Sequence, residues 1–146
     1  MAKSTASRAR RTPRLPAQIK TAIEAARDKK AVEVTVLDLR KADAFTDYFV
    51  ICTGASSRQV HAIADAVEQS LKDAGARPSH VEGYQRAEWI LLDYFDFIVH
   101  VFSPTARQFY GLERLWGNAD RHELGDEPSA RDDTVTRASR SAPRDN

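Results

Sequence analysis

The feature that most restricts the fold is an uninterrupted apolar segment followed at once by an amphipathic helix. Residues 48–53 (YFVICT) carry no charge and end at Gly54, which is typical of a strand buried on both faces. Ser56 and Gln59 then have the spacing of an N-terminal capping box. Apolar residues follow at helical spacing before a glycine suited to a helix end: Val60, Ile63, Ala64, Val67, Leu71 and Gly75. The pattern predicts a buried strand joined by a tight turn to a helix over about 57–74.

Similar patterns predict the elements on either side of this unit. Apolar residues at helical spacing predict a helix over about 15–30, and β-branched residues predict a strand from Val32 to near Asp38. Residues 88–93 and 97–102 have the composition of two strands joined by a tight antiparallel turn. A short strand at 80–82 is an open alternative to a loop.

A last helix and the order of elements indicate the fold class. Ser103 and Pro104 have the types favoured at the N-cap and first position of a helix. The apolar face predicted for this helix consists of Phe109, Leu112, Leu115 and Trp116. The order α-β-β-α-(β)-β-β-α predicts an α/β fold with a mixed sheet of about five strands and flanking helices.

Charge divides the chain into three parts. Residues 1–14 carry +5, whereas 15–118 and 119–146 carry −2 each. We expect a disordered basic arm at 1–14, a folded domain at 15–118 and a disordered tail at 119–146, because both ends have few large apolar residues. The mild acidity of the domain disfavours direct binding to nucleic-acid phosphates and is compatible with a basic protein partner.

Composition restricts the class of protein further. The chain is 42% hydrophobic and 29% charged, so it can build a core. No apolar run approaches the roughly 20 residues that span a bilayer, and no apolar stretch follows the N-terminal basic residues as in a secretory signal. Cys52 is the only cysteine, which excludes an internal disulfide and a cysteine-based zinc cluster. We therefore expect a cytoplasmic protein with no membrane partner.

Two places could carry phosphate or metal chemistry. The turn at 53–57 presents helix N-terminal amides, but it lacks the Gly-Lys-Ser/Thr of a P-loop and the GxGxxG pattern. Asp93 and Asp96 could bind a metal ion, although they flank a turn and no third acid is obviously placed. A capped glycine turn and turn-forming aspartates, or a surface recognition pair, are the simpler interpretations. No cofactor is predicted.

The histidines and the cysteine do not form a catalytic set. His100 alternates with apolar residues in a strand, which is typical of a structural or interface group, and His61 and His80 lack ligand spacing. Cys52 lies in an apolar strand and is predicted to be an inert buried thiol. No Ser-His-Asp or Cys-His arrangement can be argued, so the chain is not predicted to be an enzyme.

Trp89 has two possible environments. In a strand over 88–93, Trp89, Leu91 and Asp93 share one face and Ile90 and Leu92 share the other. If the tryptophan face is uncovered, an aromatic, an aliphatic and an acidic side chain make a docking patch. If helices cover both faces, Trp89 belongs to the core.

Several motifs in one order carry a family resemblance. They are DYFVICTG (47–54), SRQV (57–60), IAD (63–65), EG (82–83), WILLDY (89–94), VHVF (99–102) and FYGLERLW (109–116). The region from about 15 to 120 resembles the ribosomal silencing factors, also called the Iojap family. The resemblance implies a fold similar to the nucleotidyltransferase core without its catalytic acids.

The resemblance also implies a function and partners. Members bind the large ribosomal subunit through ribosomal protein fourteen, block joining of the small subunit and dampen translation when nutrients are scarce; they commonly form homodimers. Two other hypotheses stay open: the protein is a nucleotide-binding transferase-like enzyme that uses the Gly54 turn, or it is an RNA-binding ribosome biogenesis module. The basic arm at 1–14 could add weak contact with rRNA.

Docking residues follow from the positions that match the motifs. They are Trp89, Leu91, Asp93 and Tyr94, the neighbouring Phe95 and Asp96, and Tyr110 and Glu113 in the last helix. The family often has glycine where this chain has Phe95. Glycine adopts a positive φ without cost and phenylalanine resists it, so either the turn differs here or Phe95 adds an apolar contact with the partner.

Overall fold

Residues 15–125 are described by the structure, which is a computed structural model. In this range the helices are α1 (Ala17–Asp28), α2 (Ser57–Asp73), α3 (Pro104–Tyr110) and the short α4 (Leu112–Leu115). The strands are β1 (Val32–Asp38), β2 (Tyr48–Thr53), β3 (His80–Glu82), β4 (Trp89–Asp93), β5 (Phe97–Phe102) and β6 (Asp120–Gly125). The arm predicted at 1–14 lies outside the described residues.

The strands of this region form one mixed sheet in the order β3-β4-β5-β2-β1-β6. β2 and β5 are parallel, and the other neighbours are antiparallel. Every residue of β2 and β5 is buried, and for β2 the apolar run at 48–53 predicted this burial. The predicted α/β class is confirmed, with six strands in place of about five.

Helices pack on both faces of the sheet. On the first face, α1 and α2 bury Ile90 and Leu92 of β4 together with the apolar sides of both helices. On the second face, a smaller core includes Ala106 of α3 and Leu112 of α4. We call these the α1–α2 face and the α3–α4 face.

The last helix is interrupted, contrary to prediction. Gly111 has φ +55°, a left-handed conformation that ends α3 and directly precedes α4. The four residues predicted to share an apolar face are therefore separated. Leu112 is buried and Trp116 is half-buried, but Phe109 and Leu115 are exposed.

The predicted tail begins too early, because residues 120–125 form β6. This edge strand pairs with β1, Leu124 packs against the core, and Arg27 donates a hydrogen bond to the Leu124 carbonyl oxygen at 2.8 Å. Because an edge strand is held largely by backbone hydrogen bonds, it can be polar, and the polar composition of β6 gave no strand signal in the sequence. The rest of the predicted tail, 126–146, lies outside the described residues.

Candidate docking surface

The candidate site is the side of β4 that faces α3 and α4. Trp89, Leu91 and Asp93 lie on this side and are each half-buried, between the fully buried Ile90 and Leu92. They stay accessible because β4 lies near the sheet edge, where only the three-residue β3 flanks it. We call Trp89, Leu91, Asp93 and the adjoining Tyr110 the β4 surface.

The Trp89 indole is partly covered and firmly placed, so it fits neither sequence interpretation completely. Its ring centroid lies 4.6 Å from that of Tyr110 and 5.0 Å from that of Phe102. The indole Nε1 donates a hydrogen bond to His100 Nδ1 at 3.0 Å. Tyr110 and Phe102 pack against the indole and His100 accepts its hydrogen, while the exposed part of the ring is free to contact a partner.

His100 lies beneath this indole and is only 3% exposed. Because Nδ1 accepts the indole hydrogen, the ring proton belongs on Nε2, which has no hydrogen-bond partner within residues 15–125. Burial lowers the His100 pKa from 6.5 to about 3. The imidazole is therefore a neutral acceptor at physiological pH.

Acidic side chains lie beside the β4 surface. In the antiparallel pairing, Glu82 of the edge strand lies opposite Leu91, and His80 lies opposite Asp93. His80 Nε2 lies 2.5 Å from Glu82 Oε2, and Asp96 is exposed in the turn between β4 and β5. Carboxylates around an aromatic and aliphatic centre suit a basic protein partner.

The turn after β4 is held by several hydrogen bonds. Asp93 Oδ1 accepts from the Phe95 backbone N–H at 2.8 Å, and the Thr46 hydroxyl donates to the Phe95 carbonyl oxygen at 2.8 Å. Phe95 has φ +75°, the conformation that glycine adopts readily, and its side chain is 78% exposed. Residue 95 thus has the backbone conformation that suits glycine, although this chain has phenylalanine there.

Phe95→Gly is expected to raise the free energy of unfolding by about 0.5 to 1 kcal/mol. Removing a side chain from a left-handed conformation relieves about 1–2 kcal/mol, and glycine's greater freedom in the unfolded chain offsets part of that gain. Chemical denaturation measures the change, with Phe95→Ala as the matched control that keeps the strain. Equal stability of the two variants would contradict this account of the turn.

Two predicted docking residues are largely occupied within the domain, since Tyr94 is buried and Glu113 is half-buried in an ion pair. Tyr94 lies on the α1–α2 face with its ring stacked on Phe97, because alternation along the strand turns it away from Asp93. The Glu113 carboxylate accepts hydrogen bonds from Arg107 Nε and Nη2 at 3.1 and 2.5 Å. Little of either side chain is left for a partner, and direct contact by these two residues stays a prediction.

Arg107, which no sequence motif singled out, joins α3 to the strands β1 and β2. Its Nη1 donates to the Glu33 carbonyl oxygen and to Thr53 Oγ1 at 2.6 and 3.0 Å. Nη2 donates to Thr35 Oγ1 at 3.1 Å. With the Glu113 pair, every nitrogen of the guanidinium is used, so Arg107 holds α3 and α4 beside the β4 surface.

The glycine turn at 53–57 is satisfied by its own residues. Ser56 Oγ accepts from the Gln59 N–H at 3.1 Å, and Gln59 Oε1 accepts from the Ala55 N–H at 2.6 Å. Two amides that could have faced a phosphate are therefore occupied. Cys52 is buried as predicted, and burial raises its pKa to about 12.

Neither a metal cluster nor a membrane span is found between residues 15 and 125. This part of the chain contains no group of three or more His, Cys, Asp or Glu side chains that could hold a metal ion. None of its helices combines the length and the apolar character needed to cross a bilayer.

Comparison with known proteins decides the family. A protein-family model described as "Ribosomal silencing factor during starvation" matches residues 12–146. The chain belongs to the ribosomal silencing factor family. It is 40% identical over 106 residues to the ribosomal silencing factor RsfS of Halalkalibacterium halodurans, a match that covers 73% of this chain and 91% of the relative.

Two other similar proteins support the fold and the assignment. A crystal structure of a protein from Chromobacterium violaceum has a TM-score of 0.67 and 38% identity, covering 77% of this chain and 88% of that one. A mouse protein named "Mitochondrial assembly of ribosomal large subunit protein 1" is 30% identical over 93 residues, covering 62% of this chain and 41% of the mouse protein. The family predicted from the motifs is confirmed.

Proposed function

We propose that this ribosomal silencing factor seats its β4 surface on ribosomal protein fourteen of the large subunit. Bound there, the domain blocks joining of the small subunit and so dampens translation when nutrients are limited. The half-buried Trp89, flanked by Leu91 and Asp93, is the observation that carries the proposal. Steric exclusion needs no catalytic group.

The chemistry of the β4 surface supports a protein partner. An aromatic ring whose orientation is already fixed loses little conformational entropy on binding, and tryptophan is enriched among residues that dominate interface energies. Tyr110 extends the aromatic area and is 45% exposed. Acids near the apolar centre would meet the basic side chains expected of a ribosomal protein and would speed association.

Three further expectations accompany this proposal, two from the family and one from the basic charge of residues 1–14. The name of the mouse relative refers to assembly of the large ribosomal subunit, which supports that subunit as the partner of this chain. The homodimer implied by the family resemblance stays a prediction, as does weak rRNA contact by the arm at 1–14.

Trp89→Ala is expected to weaken binding to ribosomal protein fourteen by about thirtyfold. This equals roughly 2 kcal/mol, an ordinary value for removing a central tryptophan from an interface. Titration calorimetry with the purified ribosomal protein measures it. Tyr84→Ala is the matched control, since Tyr84 is a partly exposed aromatic that packs against His61 and Asp65 of α2, on the other side of the sheet.

The control separates docking from folding. Tyr84→Ala should bind like the wild type, and thermal unfolding of each variant should show that it is folded at the titration temperature. Equal binding by a folded Trp89→Ala variant would count against the β4 surface as the docking site.

Subunit joining tests the function itself. Light scattering follows the formation of ribosomes after small subunits are added to large subunits that have been incubated with the protein. We expect saturating wild-type protein to suppress the rise in scattering and an equal concentration of Trp89→Ala to suppress it much less. An unchanged rise with the wild type would overturn the proposal.

A further inference from the structure

We infer that His100 is a positioning residue for the β4 surface: as a buried hydrogen-bond acceptor, it holds the Trp89 indole in the orientation that a partner meets. The inference rests on the docking function proposed above. It assigns a role to a buried polar side chain that the steric mechanism alone does not use.

The geometry places His100 where it can act only through Trp89. It lies on β5 opposite Leu91 and Ile51, and Phe49 packs edge-on against its ring at a centroid distance of 4.5 Å. At 3% exposure, the imidazole is too deep for a partner to touch. Its Nδ1 is nevertheless 3.0 Å from the indole nitrogen, whose ring is only half-buried.

The hydrogen bond to His100 Nδ1 fixes the orientation of the Trp89 indole more strictly than ring packing does. Tyr110 and Phe102 contact the aromatic ring, and such contacts tolerate sliding and tilting of the rings. A hydrogen bond from Nε1 selects one rotamer, because a buried N–H without an acceptor is costly. A ring already fixed before docking loses less entropy on binding, which raises affinity.

A matched pair of substitutions isolates the acceptor. In His100→Asn, an amide oxygen can replace Nδ1 because both atoms are bonded to Cγ, whereas His100→Leu has a similar shape with no acceptor. We expect His100→Leu to bind large subunits about fivefold to tenfold more weakly and His100→Asn to stay within about threefold of wild type. Thermal unfolding identifies the temperature range in which each variant is folded.

The indole signal reports the mechanism directly. The chain has two tryptophans, so ¹⁵N-labelled protein should give two indole N–H resonances, and Trp116→Phe assigns them. We expect the Trp89 indole hydrogen to exchange with solvent at least tenfold faster in His100→Leu than in wild type, and His100→Asn to keep most of the protection. Unchanged Trp89 exchange or unchanged affinity in a folded His100→Leu would overturn the inference.

A double-mutant cycle tests whether His100 acts through Trp89. Trp89→Phe removes the indole donor, so adding His100→Leu to it should cause no more than about a twofold further loss of binding. If His100→Leu weakens binding by the same factor in the Trp89→Phe background as in wild type, the positioning role is overturned. A wild-type chain that fails to bind large subunits overturns the docking function and with it this role, whereas equal binding by wild type and a folded His100→Leu overturns the inference alone.

Discussion

Arg107→Met is expected to lower the free energy of unfolding by about 3 kcal/mol. The substitution keeps a long side chain but leaves the Glu113 carboxylate without its cation in a site where both side chains are less than 15% exposed. Removing one partner of such a pair is strongly destabilising because the other charge stays buried. Thr35 and Thr53 lose a hydrogen-bond donor as well. Chemical denaturation at neutral pH measures the change.

Two further variants test the cause of that loss. Adding Glu113→Gln to Arg107→Met removes the unpaired charge and is expected to restore roughly half of the lost stability. Arg114→Met is the matched control, because Arg114 is an exposed arginine in the adjacent short helix, and it should change stability by less than about 0.5 kcal/mol. Equal losses for Arg107→Met and Arg114→Met would contradict the structural role of Arg107.

Acidification from pH 7 to pH 4 is expected to remove about 3 kcal/mol of stability through His100 alone. Burial lowers the folded-state pKa of His100 from 6.5 to about 3. Between these values the unfolded chain binds a proton that the folded chain does not, so stability falls as pH falls below about 6.5 and the loss ends near pH 3. Each pH unit in this window costs about 1.4 kcal/mol.

His100→Asn isolates the effect, because asparagine does not titrate and the carboxylates shared by both proteins contribute equally. The stability of wild type minus that of the variant should fall steadily from pH 6 to pH 4. Denaturation at closely spaced pH values measures this difference. A difference that does not vary with pH would show that His100 takes up its proton as readily in the folded protein as in the unfolded chain.

Elements with strong local signals were predictable from the sequence. The apolar run of β2, the Ser56-capped α2 and the turn between β4 and β5 lie at the predicted places, because burial on both faces and backbone capping leave a clear pattern. The short β3 was left open and is present. β6 and the break at Gly111 were not predicted, since an edge strand can be polar and a glycine within a helical pattern does not show which φ it adopts.

The candidate site was predictable only in part. Alternation along β4 placed Trp89, Leu91 and Asp93 on one face, and the same rule, applied one residue further, would have placed Tyr94 in the core. The Arg107 network joins residues up to 74 positions apart, so no local spacing reveals it. The bond between Trp89 and His100 depends on strand register, which the sequence leaves undetermined.

Sedimentation of the purified protein with separated ribosomal subunits tests the docking claim most directly. Wild type and Trp89→Ala are each mixed with large subunits or with small subunits at moderate salt, and the pelleted protein is quantified. We expect wild type to sediment with large subunits only and Trp89→Ala to stay mostly in the supernatant. Wild-type protein that pellets equally with both subunits, or a folded Trp89→Ala that pellets as wild type does, would contradict docking through the β4 surface.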